Sequence, residues 1–265
     1  MSPPPRRFPL PLNRVGRGAP NTQDQPAKTR SGTAQSGSRV AAPTGLGLDS
    51  TAVRARMVQR LRAEGAGCDA VLTALGTVPR HQFVESGLAP QAYEDTALPI
   101  GWGQTISKPS VIARMLALLF DGRESAHSGS LGRVLEIGTG CGYQAALLTL
   151  LSQQVISIER LRPLYERARE NLAPIRSNKL RLVYGDGRLG HAPNAPYDAI
   201  ICAAGGDDVP TAWLEQMAVG GRLIAPTRAE VGPGQVLLVI DRHADGWTRR
   251  SHEAVRFVPL RSGTA

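Results

Sequence analysis

Three glycines at alternate positions, Gly138, Gly140 and Gly142, follow a short apolar run at residues 134–137 that carries one carboxylate, Glu136. A strand ending in such a loop and leading into a helix can bring its backbone against a ligand, because glycine turns left-handed at little steric cost and has no Cβ in the way. The chemistry this serves is binding of a nucleoside-type cofactor, with Thr139 inside the loop. Glu159 lies 21 residues past Gly138, at the end of the next apolar run. A carboxylate there can accept hydrogen bonds from both ribose hydroxyls. The competing reading is a helix-start carboxylate favoured by the dipole, since Pro163 suits a first helical turn. Asp186, between Gly185 and Gly187, ends a third run, where it can accept from an adenine amino group. An ordinary Gly-Asp-Gly turn is the plainer reading.

The spacing G-x-G-x-G differs from the dinucleotide fingerprint, and Tyr143 stands where that fingerprint has its third glycine. A pyrophosphate on a helix N-terminus needs close glycine packing there, whereas S-adenosylmethionine has no phosphate. The loop therefore favours S-adenosylmethionine over NAD. Glu136, inside a strand, needs donors to offset its burial, and the cationic end of such a cofactor would supply them. Ser107 precedes a helix expected from Pro109 to Phe120, and spacing alone makes it that helix's cap. With no fixed His or Asp partner, it makes no case for a nucleophilic triad.

The elements that must position these groups can be read from periodicity. Helices are expected from Thr51 to about Glu64, capped by Asp49-Ser50, and from Asp69 up to Pro79, followed by a loop-rich stretch to Pro99. Strands are expected at 134–137, 155–158, 180–184, 199–202 and 222–225, with helices near 143–152, 162–172 and 211–217 between them. Such alternation specifies an α/β fold with a doubly wound, mostly parallel Rossmann-like sheet. Residues 235–241 and 254–260 have no helix between them and are expected to pair as an antiparallel C-terminal hairpin. This divides the chain into a tail at 1–48, an N-terminal helical appendage with a substrate loop at 49–132, and a cofactor-binding core at 133–265, the last two forming one structural domain.

The net charge of +9 is concentrated at the N-terminus, where residues 1–50 hold seven Lys or Arg against two Asp. That segment is rich in Pro, Gly, Ser and Arg, lacks periodicity and is expected to be disordered. It carries no apolar run suited to export, and no transmembrane run occurs elsewhere. Cys68, Cys141 and Cys202 form no C-x-x-C pair, and the five histidines form no ligand spacing, so neither a metal site nor a disulfide framework is expected. A reducing cytoplasm fits. The basic balance raises a methyltransferase acting on RNA as an alternative, but no aromatic and basic residues interleave as a stacking platform, and no specific nucleic-acid partner is expected.

Six segments occur in order: Ala-Leu-Pro-Ile-Gly-Trp-Gly-Gln-Thr-Ile-Ser-Lys-Pro at 97–109, Val-Leu-Glu-Ile-Gly-Thr-Gly-Cys-Gly-Tyr-Gln at 134–144, Ser-Ile-Glu-Arg at 157–160, Gly-Asp-Gly at 185–187, Ala-Pro-Tyr-Asp-Ala-Ile-Ile at 195–201 and Val-Arg-Phe-Val-Pro-Leu at 255–260. Together they resemble the protein-L-isoaspartate O-methyltransferases over about residues 51–261, including Val78-Pro79-Arg80 and Phe83-Val84. The glycine loop is shared with many methyltransferases, whereas the Gly-Gln-Thr-Ile-Ser and Arg-Phe-Val-Pro-Leu segments are more specific. The resemblance implies transfer of the S-adenosylmethionine methyl group to the carboxylate of L-isoaspartyl residues in damaged proteins and peptides. It implies that Ser107 orients that carboxylate, that Thr105 and Ile106 flank the cofactor, and that Val258, Pro259 and Leu260 line the substrate pocket. A monomer without metal is expected. Cys141 departs from the usual Ser, and residues 203–210 depart from a more apolar run. A noncatalytic adaptor keeping the cofactor fold is the alternative from another class, opposed by intact Ser107, Glu159 and Asp186.

Overall fold

Residues 51–122 and 127–265 are those described by the computed structural model, and all fall within one compact unit, Thr44–Ala265. The basic tail and the cap expected at Asp49 and Ser50 lie outside the described residues. Helices α1 (Thr51–Ala63) and α2 (Asp69–Thr77) form where their apolar spacing places them, burying Met57, Leu61, Val71, Leu72 and Leu75. Two 3-10 turns, Arg80–Phe83 and Ser86–Gln91, occupy the stretch read as loop.

A short antiparallel hairpin follows, β1 (Leu98–Gly101) and β2 (Gln104–Ile106), with Leu98 opposite Ile106 and Pro99 opposite Thr105. The sequence gives no strand signal here because the two arms are brief and interrupted by Pro99, Gly101 and Gly103. Helix α3 spans Pro109–Phe120 as expected, turning Ile112, Met115, Leu116 and Leu119 into the core.

The sheet comprises β3 (Arg133–Ile137), β4 (Gln154–Glu159), β5 (Leu180–Tyr184), β6 (Tyr197–Cys202), β7 (Met217–Arg228), β8 (Gln235–Arg242) and β9 (Trp247–Val255), in the order β5-β4-β3-β6-β7-β8-β9. The first five strands are parallel, and β8 and β9 run antiparallel. Helices α4 (Tyr143–Leu151), α5 (Arg162–Leu172) and α6 (Thr211–Glu215) connect them. Alternate residues serve opposite faces. Val134, Val155, Ala199 and Ile201 pack with the N-terminal helices, while Leu135, Ile156, Ile200 and Leu223 pack with Trp213 and Met217.

The final strand requires a correction. It covers Trp247–Val255 rather than 254–260, and it is almost wholly exposed. Its charged edge is what an unpaired sheet border needs, and that polarity hides it from an apolar pattern. The apolar residues 257–260 leave the sheet instead and run beside the pocket, where Pro259 bridges Gly205 in parallel.

Candidate active site

The chain winds outward from β3 through β4 to β5, then returns to place β6 on the other side of β3. That reversal opens a crevice at the carboxyl ends of β3 and β6, the usual ligand position in an open α/β sheet. A cavity of about 890 Å³, counting its open mouth, lies there, with Ile137 to Gly140 on one side and Ala203 and Ala204 on the other. The β2 segment and residues 258–261 form further parts of its wall.

The glycine loop reverses the chain with φ of +89° at Gly138, +57° at Gly140 and +92° at Gly142. A Cβ on Gly140 would approach Ile100 Cδ1 to 3.2 Å. Gly138, Thr139 and Gly140 line the cavity. Gly142 does not, and its part is structural: it caps α4 in the left-handed conformation, and a Cβ there would lie 2.8 Å from Leu172 Cδ1. Tyr143 is buried against Phe83, with the Arg80 guanidinium 5.1 Å from its ring centre. The position that a dinucleotide site gives to glycine therefore anchors α4 to the N-terminal appendage.

Glu159 enters the cavity wall with its carboxylate held at both oxygens, Oε2 accepting from Gly140 N at 2.9 Å and Oε1 from Leu161 N at 2.9 Å. It is only 5 % exposed, and its remaining lone pairs are available to a ligand. Leu161, not Glu159, is the N-cap of α5, and the Glu159 carboxylate accepts from the N–H of that residue just ahead of the helix. Gly187 also lines the cavity and packs closely, since a Cβ would meet Ile137 Cγ2 at 2.6 Å.

Glu136 lies behind the wall, fully buried. Its oxygens accept from Gln144 Nε2 at 3.0 Å and Ser157 Oγ at 2.5 Å. The donors expected from a cofactor are thus supplied by the protein, because Ser157 on the paired strand and Gln144 on α4 reach it first. Gln144 does line the cavity and links Glu136 to it. Burial pushes the Glu136 carboxyl up to about 8, against the pull of the Ser157 and Gln144 hydrogen bonds, and nearby Glu159 adds to the rise.

Asp186 likewise stays outside the lining. Its Oδ1 accepts from Arg188 N at 2.9 Å and its Oδ2 from Gly263 N at 2.6 Å. The segment beyond residue 260 is fastened across this rim, with Arg160 Nε donating to Gly263 O at 2.8 Å and Arg162 N to Ala265 O at 2.7 Å. Asp186 therefore works as a clasp between β5 and the C-terminal segment.

Thr105, Ile106 and Ser107 line the opposite wall. Ser107 is not the helix cap: Lys108 occupies that position without a side-chain bond. The first turn of α3 is closed by Asp95, whose Oδ1 accepts from Ser110 N at 2.8 Å and Oδ2 from Ser110 Oγ at 2.7 Å. A carboxylate from outside the helix thus takes the role that spacing assigned to Ser107, which lines the cavity instead. Arg80 fixes the Ser107 backbone. Fully buried, it donates from Nη2 to Ser107 O at 2.8 Å and from Nε to Ala92 O at 2.7 Å. Sequence reasoning missed this use of Arg80, because a lone Arg after Pro79 carries no sign of burial.

Val258, Pro259 and Leu260 complete the lining. They are held by a short ladder in which Gly205 N donates to Val258 O and Leu260 N to Gly205 O, each at 2.8 Å. Gln235 Oε1 accepts from Phe257 N at 2.7 Å and fixes the approach to that segment. The glycine backbone, the tethered carboxylate of Glu159 and the apolar side chains of Ile137, Ile158 and Leu164 together fit S-adenosylmethionine, a nucleoside with no phosphate to neutralise.

Comparison with known proteins agrees with this geometry. The family model described as protein-L-isoaspartate(D-aspartate) O-methyltransferase matches residues 52–265. A protein-L-isoaspartate O-methyltransferase of Methylibium petroleiphilum is 58 % identical over 97 % of this chain and 96 % of its own length. One from Leptothrix cholodnii is 56 % identical over 100 % of this chain and 97 % of its own. A solved protein-L-isoaspartate O-methyltransferase superposes with a TM-score of 0.69 at 27 % identity, over 78 % of this chain and 65 % of that one. A Plasmodium falciparum structure in complex with S-adenosyl-L-homocysteine has the same fold, with a TM-score of 0.66 at 22 % identity over 78 % of this chain and 98 % of that one.

Proposed function

We infer that this chain, which belongs to the protein-L-isoaspartate(D-aspartate) O-methyltransferase family, methylates the free carboxylate of L-isoaspartyl residues in damaged proteins and peptides and so begins their repair. S-adenosylmethionine supplies an electrophilic sulfonium methyl, which passes to a carboxylate oxygen while the carbon–sulfur electron pair returns to sulfur. The acceptor is already ionised near neutral pH, so no general base is needed. What this chain must provide is alignment and exclusion of water.

The observation that carries the assignment is the shared cavity, in which Ser107 faces the same space as the glycine loop and Glu159. In this reading Glu159 holds the ribose hydroxyls, and Gly138, Thr139, Gly140, Thr105, Ile106 and Gly187 shape the cofactor's bed. Ser107 orients the acceptor carboxylate by hydrogen bonding. Val258, Pro259 and Leu260 line the side on which an extended peptide would lie, with the Val258 carbonyl and the Leu260 N–H already committed to Gly205. Arg80 sets the position of Ser107 from behind.

A monomer is the proposed working unit. An ionised nucleophile and a sulfonium need no metal. Burial pushes the Cys141 thiol up to about 11 and the Cys202 thiol up to about 12, which keeps both protonated and unreactive near neutral pH. Among the described residues no helix is long and apolar enough to cross a membrane.

Ser107→Ala tests the site assignment. Turnover of an isoaspartyl peptide should fall by about tenfold or more, as for loss of one hydrogen bond to a charged group, while calorimetric affinity for S-adenosylhomocysteine stays within about threefold. Undiminished turnover would remove Ser107 from the reaction centre.

A further inference from the structure

The β1–β2 hairpin turns through two residues, Trp102 and Gly103, with φ of +50° and +69°. Positive φ at both central positions marks a type I′ turn, which favours Asn-Gly and disfavours bulky side chains. Among the described residues only Trp102 and Arg176 adopt positive φ without being glycine. A tryptophan there is strained, and the residue is 55 % exposed, so burial in the fold does not explain it.

The hairpin's second strand and the residue after it, Gln104 to Ser107, line the cavity. At about 3.3 Å per residue, the tip stands roughly 7–10 Å beyond Thr105. An extended polypeptide covers that distance in two or three residues. The 258–260 segment also lines the cavity, with its Val258 carbonyl and Leu260 N–H committed to Gly205.

Taking the isoaspartyl methylation reading as its premise, we propose that Trp102 determines specificity by packing against an apolar side chain two or three residues from the isoaspartate. Its rigid aromatic surface suits such a contact, since it loses few rotamers on binding. Segments that carry exposed apolar side chains beside the damaged residue are those of unfolded or partly unfolded polypeptides. Trp102 thus biases the enzyme toward them over well-folded surface loops.

The test compares the full-length wild type, Trp102→Asn and Trp102→Phe on two isoaspartyl peptides, one with Leu and Phe at the second and third flanking positions and one with Gly there. Trp102→Asn relieves the turn, so its Tm should rise by roughly 2–4 °C. Its KM for the apolar-flanked peptide should rise about three- to tenfold, as for loss of an aromatic contact, with kcat and S-adenosylhomocysteine affinity unchanged. The Gly-flanked peptide should show no KM change, and Trp102→Phe should restore most of the loss. An unchanged KM for the apolar-flanked peptide, or an equal rise for both peptides, overturns the proposal. If wild-type enzyme methylates neither peptide, the underlying reaction is wrong, and the proposal falls with it.

Discussion

Glu159→Gln separates two tasks that one carboxylate performs. The side chain keeps its shape, but an amide has one acceptor oxygen where the carboxylate has two, and both are used, by Gly140 N and Leu161 N. One backbone N–H must then face the new NH2 group. Losing a hydrogen bond to a charged group costs about 1.5–3 kcal/mol, so Tm should fall by roughly 3–12 °C for a chain of this size. If the carboxylate also holds the ribose, S-adenosylhomocysteine affinity should fall by a further factor of about 10–150 from one such bond. Calorimetry with S-adenosylhomocysteine and its 2′-deoxy analogue isolates that part, because wild type should prefer the natural ligand by a similar factor and the variant by less than about threefold. A variant that loses stability yet keeps the full preference would show that Glu159 ties the loop and leaves the ribose alone.

Other expectations follow from buried groups. Folded Glu136 holds its proton to about 8, whereas the unfolded chain releases it near the ordinary 4.5. The unfolded state binds fewer protons in that window, so the group's contribution to stability declines as pH rises through it. Glu136→Gln should therefore gain Tm relative to wild type between about pH 5 and pH 8, measured by calorimetric scans; a difference independent of pH would mean that Glu136 is ionised throughout. Gly142→Ala forces a left-handed non-glycine and a 2.8 Å approach to Leu172 Cδ1. It should cost about 2–4 kcal/mol in urea unfolding, and a loss below about 0.5 kcal/mol would show that the loop relaxes freely.

The parts of this fold that were legible in the sequence are those encoded locally. The apolar runs of β3, β4 and β6 and the glycine loop between β3 and α4 stand out because a doubly buried strand must be apolar and a left-handed turn must be glycine. The parts that were not legible depend on distant partners. Asp95 closes α3 from 15 positions away and displaces Ser107 from that role. Ser157 donates to Glu136 across 21 residues. Gly263 engages Asp186 from 77 residues on. Strand β9 escaped because an exposed edge carries charge, while the apolar stretch after it lines a pocket. The site's chemistry was visible in residue types, and its mechanical support in Arg80 and Gln235 was not.

The most direct measurement incubates the protein with methyl-labelled S-adenosylmethionine and two peptides that differ only in having L-isoaspartate or L-aspartate at one position. Label should enter the isoaspartyl peptide as a base-labile ester and leave the aspartyl peptide essentially unmarked. Equal labelling of both, or none of either, would contradict the assignment of this cavity to isoaspartyl methylation.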